Sequence, residues 1–263
     1  KAKKYTGTYG TNGFYLDFSG SATPTIVDSS SNALAITTAN GMAHSSAQAK
    51  FGASSLIAST SASNSLTVTN STSLSPNGTN NITYEGWIYW DGTNDIRIAY
   101  KYVADYFVPN VYITTAGKLR YGNQTHGGSN LHYHYSTASV TANAWTHFAT
   151  TISNKTVTHY INGASSGAYT YTTGTWAFIS GTLELLSADA TNYIDEFRVS
   201  NSIRYTGTFT PPTAVFTDDA NTTLLIHSDY GEDNSLGADN SPNNNHWTPN
   251  NLAATDQMLD SPT

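Results

Sequence analysis

The stretch DIRIAY, residues 95–100, shows the pattern that decides the fold. Ile96, Ile98 and Tyr100 alternate with Arg97 and the other odd-numbered positions, which is the period of two typical of a strand with one buried face. The alternation predicts that Tyr100 shares a face with the two isoleucines and that Arg97 lies on the opposite face.

Runs of the same kind fill much of the chain and are separated by loops rich in Gly, Asn and Ser. They lie at residues 81–90, 106–114, 131–137, 145–152, 156–161, 181–187 and 192–199. Asn162-Gly163 stands between two of them, which is the strongest short signal for a β-hairpin. No window of a dozen residues has the apolar spacing of a helix. Regular short strands with turn signals predict an all-β antiparallel sandwich or barrel.

Charged residues make up only 11% of the 263 residues, against roughly 25% in ordinary soluble domains. The net charge of −7 argues against nucleic acid as a partner, because nucleic-acid binding depends on Lys and Arg neutralising phosphates. No stretch approaches the roughly 20 apolar residues that span a bilayer, so no membrane partner is expected, and the start does not resemble a signal peptide. The absence of Cys excludes disulfides and thiolate chemistry. Because the first residue is Lys, we expect a piece of a longer chain or a processed product.

One hexapeptide occurs twice in nearly the same form, as KYTGTY at residues 4–9 and RYTGTF at residues 204–209. An apolar strand and an acidic turn with Ser and Asn follow each copy. A sequence repeat at a fixed spacing indicates a tandem array of domains. The alternative is chance similarity in a chain rich in Ser, Thr and Gly. We therefore expect a β-sandwich over residues 1–207, and a linker with the beginning of a second, incomplete module over residues 208–263. That tail is expected to be ordered by packing on its own sandwich, on a neighbouring subunit or on a following part of the chain.

Five elements in order over residues 13–200 resemble the laminin-G-like, concanavalin-A-like jelly-roll domains. They are YLDFS with VDSSSN, AQAKFGASSL, ITYEGWIYW, AWTHFATT with HYINGASSG, and YIDEFRVS. The resemblance implies an antiparallel two-sheet jelly roll with a C-terminal extension. One departure is FGASSLIASTSASNSL, where the family has a Phe-Asp-Gly step and this chain has small polar residues.

Three segments that flank the sandwich resemble modules of structural proteins of tailed bacteriophages, particularly marine ones. They are IRYTGTFTPP, TLLIHSD and NLAATDQMLDSPT. This resemblance implies a virion protein (fibre, spike or capsid decoration) whose partners are other virion subunits, with a homo-oligomer expected. Cell-surface glycans are a further expected partner. The alternative is a carbohydrate-binding or adhesion module that a bacterium secretes or displays on its surface.

Asp195 is the first candidate metal ligand. Strand alternation places it on the face of Phe197 and Val199, towards the interior, where a carboxylate must be paired, hydrogen-bonded or metal-bound. In related β-glucanases the matching Asp binds a structural Ca²⁺ together with backbone carbonyls, one of them from a Gly like Gly52. The resemblance thus implies one structural Ca²⁺ here, held by oxygen ligands, with Asp17 as a weaker candidate ligand. The alternative is that Asp195 accepts backbone N–H bonds.

His132 and His134 share one strand face in LHYHY, at a spacing that could chelate a metal, but no third ligand stands near them. His and Tyr that alternate in this way more often form an ordinary polar sheet face than a site. Of the two kinds of site, a sugar-binding face is favoured over a metal site, because Tyr and His side chains offer flat surfaces with hydrogen-bonding edges. Arg97, Tyr100, Arg120 and Tyr121 are candidates for the same face.

Two tryptophans are candidate platforms for stacking on sugars. Trp90 ends its strand at WDGTND, and Trp176 lies next to a turn in TGTWAF. Exposed aromatic residues in loops serve equally well as anchors of a protein interface. Trp87 and Trp145 match core positions of the family, so packing is expected of them.

Catalysis is not expected. Glucanases of this superfamily use a Glu-x-Asp-x-Glu strand that presents carboxylates on one face, and this chain has only the separate Glu85, Glu184 and Glu196 in its strands. No nucleophile elbow is present either. The sequence therefore predicts a non-enzymatic structural and adhesion module, with a glycoside-active enzyme as the weakest alternative.

Overall fold

The computed structural model describes residues 31–32, 35–39, 43–45, 47–52, 55–58, 65–68, 74–76, 80–103, 106–124, 131–172, 182–188 and 192–228. Within these ranges there is no α-helix, and the strands form two antiparallel sheets. Asp17 and Trp176, two of the candidate site residues, lie outside them.

The first sheet contains seven strands. In spatial order they are β1 (Ile36–Ala39), β4 (Ser65–Val68), β13 (Leu183–Ala188), β6 (Ile96–Val103), β7 (Tyr106–Ile113), β8 (Leu119–Gln124) and β9 (Leu131–Tyr135). The second sheet contains eight. They are β12 (Ala164–Thr170), β11 (Thr156–Ile161), β10 (Trp145–Ser153), β5 (Ile82–Tyr89), β14 (Asn192–Ser200), β3 (Ser55–Ala58) and β2 (Ala43–Ser45), with β15 (Thr222–Ile226) also paired to β14.

One apolar core lies between the sheets and takes side chains from both. Its members include Ile96, Val111, Leu119 and Tyr121 of the first sheet and Ile82, Tyr84, Ile88 and Phe148 of the second. The predicted all-β antiparallel sandwich is therefore confirmed. The predicted hairpin is confirmed too, since Asn162 and Gly163 connect β11 to β12 with φ values of 47° and 79°.

A β-bulge in β6 changes the faces that simple alternation predicts. The register against β7 shifts between Arg97 and Ala99, so Ile98 is an extra residue on this strand. Ile98 and Ala99 both lie in the core. The prediction that Tyr100 shares the face of Ile98 is therefore wrong, because the extra residue moves Tyr100 to the outer face beside Arg97.

A second bulge in β14 does the same for Asp195. The register against β5 shifts between Asp195 and Arg198, and Glu196 has a φ of 52°. Phe197 stays in the core that lies between the sheets. Asp195 instead pairs with Trp87, whose side chain is not part of that core and packs in a separate apolar cluster with Phe216 and Leu225. Asp195 is fully buried, but the prediction that it faces the interior with Phe197 is wrong.

The bulge lies in a gap between two neighbours of β14. β3 pairs with the beginning of β14 and β15 with its end, both along the same edge. In the gap, Asp195 Oδ2 accepts N–H bonds from Lys50 and Phe51 at 2.8 and 3.1 Å. Glu196 Oε2 accepts the Phe216 N–H at 2.6 Å. The two carboxylates thus hold the segments that lead into β3 and β15.

Residues 201–221, which we call the strap, run over the outer face of the second sheet. The Tyr205 ring stacks on Phe209 with 3.5 Å between ring centroids. Phe209 N–H donates to the Gly163 carbonyl at 2.9 Å, and the Tyr160 hydroxyl donates to the Tyr205 carbonyl at 3.0 Å. The phrase RYTGTF, which the sequence predicts as a joint between modules, therefore packs on its own sandwich.

The described part of the tail also belongs to this sandwich. Leu224 and Ile226 of β15 lie in the core between the sheets, so this strand is ordered by the first of the three expected routes. Asn32, from the acidic turn of the first repeat, donates its side-chain N–H to the Thr222 carbonyl at 3.0 Å. The second strand expected in the tail, NHWTP, lies outside the described residues.

Candidate functional site

The outer face of the first sheet carries two parallel rows of polar and aromatic side chains. Strand register places Arg97, Tyr112, Arg120 and Tyr135 opposite one another across β6, β7, β8 and β9. The four residues stand on four adjacent strands, so backbone hydrogen bonds fix their spacing. We call these residues, with the second row, the Tyr–Arg face.

The second row lies beside the first. Glu184 of β13 pairs with Tyr100, and Tyr100 pairs with Asn110. On β8 and β9, Gly122 pairs with Tyr133. The bulge in β6 completes this row, since without the extra residue Tyr100 would point into the core.

Rings and guanidinium groups pack against each other along the Tyr–Arg face. The Arg120 guanidinium carbon lies 4.1 Å from the Tyr112 ring centroid and 4.5 Å from that of Tyr133. Arg97 lies over Tyr100 at 4.9 Å, and the Tyr100 and Tyr112 rings meet edge to face at 5.9 Å. Such cation–π contacts stabilise by about 0.5–1 kcal/mol each at exposed sites.

Gly122 makes the stacking on β8 and β9 possible. A Cβ at this position would lie 2.9 Å from the Tyr133 ring and 3.0 Å from Asn110 Nδ2. An aromatic side chain that covers a glycine on the neighbouring strand is a known device of antiparallel sheets. The Tyr133 ring can therefore lie close to the sheet and against Arg120.

The face has both exposed and buried parts. Tyr133 and Tyr135 are 40% and 46% exposed, while Tyr112 is buried. Burial raises the pKa of Tyr112 to about 12, although the nearby charges of Arg97 and Arg120 oppose the shift. The phenol therefore remains a hydrogen-bond donor at neutral pH.

The structure brings together Arg97, Tyr100 and Arg120, three of the residues predicted for one face. It does not bring Tyr121 to them, because Tyr121 alternates with Arg120 on β8 and is fully buried in the core, so that prediction is wrong. Nor does it bring Trp90 to them. Trp90 is 5% exposed and lies in the core, with its indole N–H donating to the Asn94 carbonyl at 2.9 Å. The expectation that its ring is exposed for stacking is wrong, because the strand continues its inward alternation at this residue.

His132 and His134 lie on the opposite face of β9 from Tyr133 and Tyr135, so they do not share a face with Arg120. His134 stacks on His159 of the second sheet at 5.2 Å and 7° between planes. His132 is exposed. Among the described residues, no group of three or more His, Cys, Asp or Glu side chains could hold a metal ion.

Asp195 fits its alternative role without a metal. Its Oδ2 takes the two N–H bonds from Lys50 and Phe51, and two such donors supply the compensation that a buried carboxylate requires. Gly52, the other candidate ligand in the described ranges, follows directly with a φ of 59°. The donors placed at Asp195 Oδ2 are N–H groups rather than the oxygens that Ca²⁺ prefers. The structural Ca²⁺ stays a prediction.

Glu85 is the centre of a buried ionic cluster under the strap. Arg198 approaches its Oε1 at 2.8 Å and the Tyr205 hydroxyl donates to Oε2 at 2.5 Å, while His147 Nε2 lies 3.6 Å away. Burial alone would raise the pKa of Glu85, but His147, Arg198 and Tyr205 together lower it. The carboxylate has no exposed surface and the strap covers it, so its role is structural.

The other two described glutamates also have side-chain or backbone partners. Glu196 accepts the Phe216 N–H and a bond from His227 Nδ1 at 3.0 Å. Glu184 forms an ion pair with Arg97 at 3.5 Å. None of the three has the free, paired-carboxylate arrangement that glycoside hydrolysis uses.

Sequence reasoning missed five members of the Tyr–Arg face. They are Asn110, Tyr112, Tyr133, Tyr135 and Glu184. Gly122 was the usable signal, because a glycine within a strand marks a close approach of another group.

None of the described residues forms a helix that could cross a membrane.

A family model described as the concanavalin A-like lectin/glucanases superfamily, of laminin-G type, matches residues 60–207, more than half of the chain. No curated protein sequence matches the chain.

Solved structures with a similar fold include three toxin binding domains. That of botulinum neurotoxin serotype G has a TM-score of 0.54 and 12% identity, over 68% of this chain and 46% of its own. That of Paraclostridial Mosquitocidal Protein 1 has a TM-score of 0.54 and 11% identity, over 72% and 50%. The binding domain of botulinum neurotoxin DC, in complex with rat synaptotagmin II, has a TM-score of 0.53 and 14% identity, over 68% and 46%. The chain spans about half the length of these domains, and at such identities the likeness concerns the fold.

Proposed function

Because the chain belongs to the concanavalin A-like lectin/glucanases superfamily, we propose that it is a non-enzymatic adhesion domain that binds glycans through the Tyr–Arg face. The observation that carries the proposal is the row of ring and guanidinium groups on four adjacent strands, open to solvent at Tyr133 and Tyr135. Sites built on strands are held more rigidly than sites on loops.

The chemistry of the face suits sugars. Tyrosine rings are amphipathic, with an apolar surface for the C–H face of a pyranose and a hydroxyl at the edge for its polar groups. Guanidinium groups and the Asn110 amide add hydrogen-bonding groups that fix orientation, as small-molecule sites require. On the outer face of the second sheet, the strap covers the part around Glu85, Tyr160 and Gly163.

Two further points favour binding over catalysis. Glu85 and Glu196 contact buried structural partners, and Glu184 pairs with Arg97 on the Tyr–Arg face, so none of the three described glutamates belongs to a pair of free carboxylates. The three similar solved structures named above are described as binding domains, and binding is a property of those proteins.

A glycan array tests the proposal. Wild-type protein should bind a subset of glycans, and the double variant Tyr133→Ala/Tyr135→Ala should lose that binding by at least tenfold while melting at a similar temperature. Val215→Ala is the control, because Val215 is 45% exposed but lies in the strap, away from β9. Equal binding by the double variant, or no glycan bound by the wild type, would count against the proposal.

We further propose that the domain works on the surface of a virion, as part of a fibre, spike or decoration protein that assembles with other subunits. The support is the resemblance of the phrases around the strap to phage structural modules. Antibody labelling in electron micrographs of the source particles should mark the virion surface. Labelling of bacterial surfaces or secreted material alone would instead support the alternative of a bacterial adhesion module.

A further inference from the structure

Arg120 differs from the other three arginines in having no acidic partner among the residues that the structure describes. The chain has four arginines, and three lie close to a carboxylate: Arg97 to Glu184, Arg198 to Glu85, and Arg204 to Asp219. These ion pairs are 3.5, 2.8 and 2.9 Å long. Among the described residues, no carboxylate lies within ion-pair distance of Arg120. This is unexpected in a chain whose acidic residues outnumber its basic ones.

The polar contacts of Arg120 are weak as well. Its Nη2 donates to Asn110 Oδ1 at 3.5 Å, the outer limit of a hydrogen bond. Its buried Nε–H has no acceptor in the described part of the chain. Charged groups this poorly satisfied are rare in native structures and call for an explanation.

The guanidinium is nevertheless held in a fixed position. Tyr112 covers one side and Tyr133 lies against it as well, at the distances given above, and the residue is half-buried. Holding a long side chain before a ligand arrives reduces the ordering cost of binding. The planar fork of N–H groups matches a carboxylate or a related oxyanion.

We propose that Arg120 binds the oxyanion of an acidic saccharide, a sugar that carries a carboxylate or a sulfate group. This inference rests on the proposed function, since the sugar ring would lie against Tyr133 and Tyr135 while its anionic group contacts Arg120. Arg97 is the weaker candidate for the anion, because the carboxylate of Glu184 lies 3.5 Å from it and would repel a second negative charge.

Nuclear magnetic resonance of the arginine Nε–H groups tests the assignment. Sodium glucuronate, sodium glucose 6-sulfate and glucose are each titrated into ¹⁵N-labelled protein at constant ionic strength. The Arg120→Gln and Arg97→Gln variants assign the two cross-peaks, and Arg97 is the matched control on the same face. We expect a saturable shift of the Arg120 cross-peak with at least one of the two anions, at least tenfold stronger binding than for glucose, and little change at Arg97.

Comparison of glucuronate with glucose 6-sulfate shows whether Arg120 binds a carboxylate or a sulfate group. Failure of both to give a saturable shift at Arg120, or equal shifts at Arg120 and Arg97, would overturn the inference. Glucose that perturbs Tyr133 and Tyr135 as strongly as the anions do would overturn it too, yet would leave the proposed glycan-binding function standing. Loss of all array binding would instead remove the proposed function itself.

Discussion

The sequence predicts correctly that Asp195 is buried, and wrongly which face of β14 it lies on. The sequence indicates that its carboxylate must be compensated, and the structure shows two N–H donors on Oδ2. Its face could not be predicted, because the bulge at Glu196 depends on how β3, β5 and β15 meet β14. Neither a period of two nor the identity of the residue contains that information.

Asp195→Ala should lower the free energy of unfolding by about 1–3 kcal/mol, because two backbone N–H groups lose their acceptor in a buried gap. Chemical denaturation measures the loss, with the exposed Val215→Ala as a control that should change it little. If a Ca²⁺ ion also binds here, EDTA lowers the melting temperature of the wild type and not of the variant. An unchanged stability in Asp195→Ala would contradict the role assigned to these bonds.

His159 should make stability depend on pH. It is fully buried, with Thr150 at 3.0 Å from Nδ1 and His134 stacked on its ring. Burial, and to a lesser extent the charge of His134, lower its pKa to about 3 from 6.5. The unfolded chain binds the proton more readily, so its contribution is complete above pH 6.5 and is lost as the pH falls towards 3.

When the pH falls from 7 to 5, His159 should lower the free energy of unfolding by about 2 kcal/mol, because it binds a proton in the unfolded chain and not in the folded one. The slope is about 1.4 kcal/mol per pH unit below the pKa that His159 has in the unfolded chain. Denaturant titrations of the wild type and of His159→Gln across that range provide the measurement. The variant should show a flatter pH dependence. Parallel curves for the two proteins would rule out His159 as the source.

At the scale of elements, most strands could be predicted from alternation and the hairpin from Asn162-Gly163. The Tyr–Arg face could be predicted only in part, because the bulge in β6 decides that Tyr100 joins Arg97. Trp90 was misplaced since nothing in WDGTND distinguishes an exposed strand end from one still turned inward. The strap escaped prediction because RYTGTF has no strand pattern and is ordered by contacts with distant residues.

The strap should be sensitive to one glycine of the hairpin beneath it. A Cβ on Gly163 would lie 1.9 Å from the Phe209 carbonyl oxygen, and its φ of 79° also disfavours alanine. Gly163→Ala should therefore lower the free energy of unfolding by about 2 kcal/mol or more. Gly207→Ala is the matched control within the strap, because nothing lies within 4 Å of its Cβ position. Similar stabilities of the two variants would contradict the close packing of the strap on the hairpin.

For the whole molecule, the two outer faces are covered differently. The strap packs over part of the second sheet, including the Glu85 cluster, whereas Tyr133 and Tyr135 remain exposed on the first. The predicted boundary at residue 207 falls within the strap, and the described chain continues its sandwich to residue 228. The sequence could not indicate this, because a two-stranded tail is marginal by itself and its ordering depends on the free edge of β14.

Truncation should reveal this dependence. A chain that ends at residue 207 loses Leu224 and Ile226 from the core, and each such loss costs about 2–5 kcal/mol. We expect it to unfold without a cooperative transition, while a chain that ends at residue 228 melts cooperatively. Circular dichroism during heating compares them. A cooperative transition in the shorter chain, at the temperature of the longer one, would show that β15 is dispensable.

The most direct test of the central claim is a map of where a glycan binds. The strongest ligand from the array is titrated into ¹⁵N-labelled protein, and backbone amide shifts are followed residue by residue. The Tyr–Arg face predicts the largest shifts at Tyr112, Arg120, Tyr133 and Tyr135, with little change along the strap. Shifts concentrated on the strap or at the loops around Trp90, with the four strands unperturbed, would contradict it.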